Sequence, residues 1–96
     1  MSWRKVLREM AAAEKRTGYT YGDCMSILKQ LGFVCVTKSG TSHRRWRLER
    51  TGYPPVYIGL VDRGKAEIKR FYVDTMIAVL QDNALMPPTE NDRDDA

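Results

Sequence analysis

The sequence predicts an α+β domain: a three-stranded antiparallel sheet with helices packed on one face, and a further helix at the N-terminus. Two changes of hydrophobic period and one composition figure predict it. Apolar residues recur at helical spacing before Gly32 and again after Ile68, while between Phe33 and Leu60 the spacing shortens to every second residue. The 96 residues are 43% apolar, enough for one modest core and too little for a two-domain enzyme with a large cleft.

The first helix is read over residues 2–16. Trp3, Val6, Leu7 and Met10 follow the i, i+3, i+4, i+7 pattern, with Ser2 to cap the helix and Gly18 to stop it. A second helix is expected from about Tyr21 to Leu31, with Met25, Ile27, Leu28 and Leu31 on its apolar side and Gly32 as its left-handed exit. Phe33 to Thr37, rich in β-branched residues, reads as a strand, and Lys38 to Ser42 as a turn. His43 to Arg50 alternates as a second strand. Thr51 to Pro54 is expected to turn the chain into a third strand through Val56, Ile58 and Leu60, ended by Asp62 to Lys65. Trp46, Leu48, Val56, Ile58 and Leu60 would then face the core, leaving His43, Arg45 and Arg47 toward water. The last helix is expected over about Tyr72 to Asp82, led in through Ile68 and Phe71. The organisation that follows is an N-terminal amphipathic helix as an extension (1–18), an α-β-β-β-α domain (19–86) and an acidic tail expected to be disordered (87–96).

Charge narrows the function classes. The net charge is +4 and it is concentrated: residues 38–72 hold nine Lys and Arg against three acids, whereas the tail holds four acids against one arginine. A basic centre of this kind favours an anionic partner, with nucleic acid ahead of a membrane surface. No apolar stretch has the length of a signal sequence or a membrane span, so no membrane partner and a cytoplasmic location are expected. Cys24 and Cys35 form no disulfide framework and are read as two small buried hydrophobes. With one histidine and no Cys-x-x-Cys, no metal site and no cofactor are expected. Walker loops, dinucleotide-binding glycines and Ser-His-Asp sets are missing as well.

His43, the sole histidine, is the side chain suited to exchange protons near neutral pH. Alternation places Arg45 and Arg47 beside it on the open face, and Lys38 and Arg44 sit at the same turn. A base among cations is what cleavage of an RNA phosphodiester requires: the base takes the 2′-hydroxyl proton, and fixed positive charge stabilises the phosphorane. Arg63, Lys65, Lys69 and Arg70 precede or open the last helix, where they can contact a nucleic-acid backbone. Tyr19, Tyr21, Tyr53, Tyr57 and Tyr72 either stack on unpaired bases or lie buried with their hydroxyls at the rim. The spacing around His43 also suits proteins that bind without cutting.

Three segments together resemble the HicA family of mRNA interferase toxins: Ile27-Leu-Lys-Gln-Leu-Gly-Phe33, Lys38-Ser-Gly-Thr-Ser-His-Arg-Arg-Trp46, and Val56-Tyr-Ile-Gly-Leu60 followed by Gly64, Lys65 and a closing helix. The resemblance spans about Tyr21 to Leu85. It implies a fold like that of double-stranded-RNA-binding domains, ribosome-independent cleavage of mRNA with His43 as catalytic residue, and restraint by a HicB-like antitoxin protein; with no metal site expected, that cleavage would be metal-independent. The sequence departs from the family pattern in that Thr41 separates Gly40 from the Ser-His pair. The helix of residues 2–16 and the acidic tail have no counterpart in it. Under this reading the product ends are a 2′,3′-cyclic phosphate and a 5′-hydroxyl, and Lys38, Arg44, Arg45, Arg47, Lys65, Lys69 and Arg70 hold RNA. Two other classes stay open on the residues alone: a non-catalytic RNA-binding module, and a protein–protein interaction domain that uses the N-terminal helix and the tail.

Overall fold

Short-range signals set most helix ends. The computed structural model describes residues 2–37 and 40–87. Helix α1 runs Trp3–Ala12, its first turn capped by the Ser2 hydroxyl, which accepts from the Arg4 N–H at 3.2 Å. It ends earlier than its apolar period suggests because Arg16 folds back on it. The Arg16 guanidinium donates to the carbonyls of Met10 (2.7 Å) and Ala11 (3.2 Å), satisfying oxygens that a longer helix would have bonded itself. Helix α2, Tyr21–Gln30, opens on a capping box in which Asp23 N–H donates to Thr20 Oγ1 and Thr20 N–H donates to Asp23 Oδ2. It closes on Gly32 at φ +99°, where Phe33 N–H reaches the Leu28 carbonyl and Gly32 N–H the Lys29 carbonyl.

Strand β1 is confined to Val34–Cys35 rather than the five residues expected. Val36 N–H still donates to the Arg45 carbonyl at 2.8 Å, but the Thr37 hydroxyl then captures the Arg45 N–H, and a side chain takes the place of the ladder. Strands β2 (His43–Arg50) and β3 (Tyr53–Val61) pair in a long hairpin. β3 begins three residues before Val56, so Tyr53 and Pro54 belong to the strand and not to the turn. Register Leu48↔Val56 and Arg50↔Tyr53 leaves Glu49 opposite both Pro54 and Pro55. The prolines therefore sit in a bulge of an edge strand, where their missing N–H groups break no ladder. Helix α3 spans Arg70–Asp82.

The described residues thus form an α+β fold with an open antiparallel sheet, order β1-β2-β3, and three helices. Trp46, Val56, Ile58 and Leu60 point inward from the sheet and join Ile27, Leu28, Val73, Met76, Ile77 and Leu80 in one core. Leu48 is half-buried at its margin. Leu7 and Met10 are fully buried in that same cluster, so α1 packs its apolar side into the core. Arg16 adds an ion pair to Asp74 of α3 at 3.0 Å, and Arg70 reaches Asp74 at 3.3 Å and the Glu14 carbonyl at 3.3 Å.

The two cysteines differ, contrary to the expectation that both are buried. Cys24 is enclosed, and burial pushes its thiol up to about 12, with the neighbouring Asp23 adding to the effect. Cys35 lies exposed on the two-residue edge strand. No helix among the described residues is long and apolar enough to cross a membrane.

Candidate nucleic-acid site

Antiparallel register decides what shares a face with His43. Residues directly opposite across a pair point the same way, so His43↔Val61, Arg45↔Gly59 and Arg47↔Tyr57 lie on the sheet face away from the core. β1 adds Val34 opposite Arg47. No helix covers this face among the described residues, and Val34, Tyr57, His43 and Arg45 are all exposed. Gly59 contributes bare backbone to it: a Cβ there would point into open space.

His43 opens β2. Its backbone N–H donates to Thr41 Oγ1 at 3.1 Å, and no side chain among the described residues hydrogen-bonds its imidazole. It stands between two solvent-open depressions. The first, about 410 Å³, is lined by Thr37, Thr41, His43, Arg44, Arg45, Tyr57, Gly59, Leu60 and Tyr72. The second, about 360 Å³, is lined by Ser42, His43, Val61, Asp62, Arg63, Lys69 and Tyr72. The first carries two tyrosines and Leu60 beside one exposed cation; the second carries two exposed cations and Asp62.

The candidate cations separate into distinct groups. Arg45 is exposed, and its guanidinium lies 4.0 Å above the Tyr57 ring, a flat surface of cation and aromatic together. Lys69 is exposed in the second depression, and Arg63 joins it there. Neither Lys69 nor Arg63 has an ionic partner among the described residues. Arg44, by contrast, has the parity of the core face. Its guanidinium donates to the Thr41 carbonyl and stands 3.9 Å from Asp62, closing the open end of the hairpin next to the Asp62 N–H to Ser42 carbonyl bond. Arg47 pairs with Glu49 two residues along the same strand. Arg70 is turned toward Glu14 and Asp74, and neither it nor Lys65 lines either depression. Lys38 lies outside the described residues.

The site therefore gathers His43, Arg45, Arg63 and Lys69, with Tyr57 and Tyr72 of the candidate tyrosines, holds Arg44 as part of its frame, and adds Ser42 and Asp62. Asp62 is the one carboxylate in it, and it accepts the Gly64 N–H at 2.9 Å besides facing Arg44. The tyrosines divide as no single reading of them anticipated: Tyr21 is buried, Tyr19 and Tyr72 are half-buried, and Tyr53 and Tyr57 are exposed. Among the described residues no group of three or more His, Cys, Asp or Glu side chains could hold a metal ion. No protein-family model, no curated protein and no solved structure matches the chain.

Proposed function

We propose that this protein is an endoribonuclease of the HicA mRNA interferase type, acting on mRNA in the cytoplasm and restrained by a HicB-like antitoxin. The observation that carries this reading is the setting of His43. The lone imidazole is exposed at the start of β2, without an internal hydrogen-bond partner among the described residues, between a depression lined by Tyr57 and Tyr72 and one lined by Arg63 and Lys69, two cations with no ionic partner among the described residues. A nucleoside can rest on the Arg45–Tyr57 surface while a neighbouring phosphate meets Arg63 and Lys69. His43 then takes the 2′-hydroxyl proton, the oxygen attacks phosphorus in line, and the chain is cut to a 2′,3′-cyclic phosphate and a 5′-hydroxyl. The α-β-β-β-α order with helices on one face is that of a double-stranded-RNA-binding domain, to which α1 is an addition. The uncovered sheet face, with Val34 and Val36 exposed beside Arg45, is the surface an antitoxin would close.

The test is cleavage of a labelled single-stranded RNA in EDTA. Wild type is expected to cut, His43→Ala to lose about 100-fold or more of the rate, and a 2′-deoxy sugar at the cut site to block the reaction. Intact RNA with binding retained would replace this reading by the second one, a module that grips RNA without cutting it. The exposed Arg45–Tyr57 stack is the feature that favours that second reading.

A further inference from the structure

Transesterification needs two proton transfers, one from the 2′-hydroxyl and one to the departing 5′-oxygen, and a single histidine serves only one of them at a time. We infer that Tyr72 is the second catalytic residue, the general acid that protonates the leaving oxygen; the inference rests on the ribonuclease reading above. Its basis is a juxtaposition. Among the described residues, His43 and Tyr72 are the only two that line both depressions, so a phosphodiester spanning from one depression to the other would meet both side chains.

The other candidates at this place are committed elsewhere. Asp62 faces Arg44 at 3.9 Å and accepts the Gly64 N–H at 2.9 Å. Tyr57 lies under the Arg45 guanidinium and lines the first depression alone, and Ser42 lines the second alone. Tyr72 is held by its surroundings while its hydroxyl is not. It lies in the first turn of α3, between the buried Ile68 and Val73, its ring edge-on to Phe71 at 5.3 Å and its backbone N–H bonded to the Lys69 carbonyl at 3.0 Å. No described residue hydrogen-bonds the hydroxyl, which leaves its proton available to a ligand oxygen.

The step balances without a further reactant. The 2′ O–H bond breaks and its proton goes to the His43 imidazole as the O2′–P bond forms. The P–O5′ bond then breaks, and the electron pair left on O5′ takes the proton of the Tyr72 hydroxyl. Water carries the imidazolium proton back to the phenolate, restoring both side chains.

A leaving group that needs no proton isolates this role. Wild type, Tyr72→Phe and His43→Ala would be assayed on one oligonucleotide with the ordinary 5′-oxygen at the cut site and on its twin with sulfur in that bridging position. Tyr72→Phe is expected to lose about 100-fold or more on the oxygen substrate yet stay within about threefold of wild type on the sulfur substrate, while His43→Ala fails on both. The phenylalanine keeps the ring that packs against Phe71, and an unchanged melting curve would confirm the fold. Equal losses of Tyr72→Phe on both substrates, or no loss on either, would overturn the assignment to Tyr72 and leave the His43 reading standing. Failure of wild type on both substrates would remove the ribonuclease reading and this inference with it.

Discussion

The two faces of the sheet are made from alternate residues of the same strands, and they are chemically opposite. Trp46, Val56, Ile58 and Leu60 face the helices and are almost completely removed from water. His43, Arg45, Arg47 and Tyr57, on the opposite parity of the same strands, face outward. A single step along β2 changes what an arginine is for. Arg45, on the outer face, rests on Tyr57 with its charge directed to solvent. Arg44, on the other parity, is turned into the frame of the hairpin by the Thr41 carbonyl and Asp62. Positive charge in this chain is thus of two kinds: cations that close the fold, such as Arg16 and Arg44, and cations that face a partner, such as Arg45, Arg63 and Lys69.

The largest expected effect that tests this contrast is on the inner face. Trp46→Ala should cost about 3–5 kcal/mol through lost burial and the cavity left behind, read as a lowered urea midpoint. A loss near 1 kcal/mol would show that the sheet's inner face is less central to the core than its burial implies. The outer face should respond differently. Arg45→Ala is expected to leave the midpoint nearly unchanged and to reduce the salt dependence of RNA binding by about one phosphate contact. Arg44→Ala should do the reverse, with stability lowered by about 1 kcal/mol or less and the salt slope retained. If the two variants behaved alike in the salt titration, the division between framing and partner-facing arginines would fail.

The smallest effect concerns a second comparison, between the ends of α2 and α3. Both close with the same paired bonds, Phe33 N–H to the Leu28 carbonyl in one and Leu85 N–H to the Leu80 carbonyl in the other. The residue that turns left-handed is Gly32 in the first, but Ala84, at φ 55°, in the second. An alanine there carries a steric cost of about 1 kcal/mol that glycine does not, so Ala84→Gly should raise the thermal midpoint by a few degrees, offset in part by glycine's greater freedom when unfolded. Asn83 and Arg50 hold that end in place, with Asn83 Nδ2 donating to the Val79 carbonyl at 2.8 Å and the Arg50 guanidinium reaching Asn83 Oδ1 at 3.3 Å. A lowered midpoint would mean that these contacts depend on the alanine.

Where the sequence reading and the structure agree, the signal was local. The Thr20–Asp23 capping box, the Gly32 exit, the alternation from His43 to Arg50 and the helical period after Val73 each lie within a few residues, and each produced the element expected. The differences arise where a side chain from outside the element intervenes. α1 stops at Ala12 because Arg16 comes back to its carbonyls, and β1 is short because the Thr37 hydroxyl takes the Arg45 N–H eight residues on. The bulge that places Pro54 and Pro55 inside β3 depends on the register with β2.

The candidate site divides along the same line. Strand alternation alone puts His43, Arg45 and Arg47 on one face, because side chains of a strand alternate whatever the strand packs against. That Leu7 and Met10 of α1 meet the core of the sheet, that Arg44 faces Asp62 across the hairpin and Arg70 reaches the Glu14 carbonyl, and that Tyr72 comes to the same two depressions as His43 from 29 positions along the chain, were decided by tertiary structure. Periodicity and capping are properties of neighbours in sequence, so the amino-acid order carries them directly. Which distant charges meet, as Arg44 and Asp62 or Arg16 and Asp74 do, depends on strand register and on how α3 docks, and no local pattern encodes that.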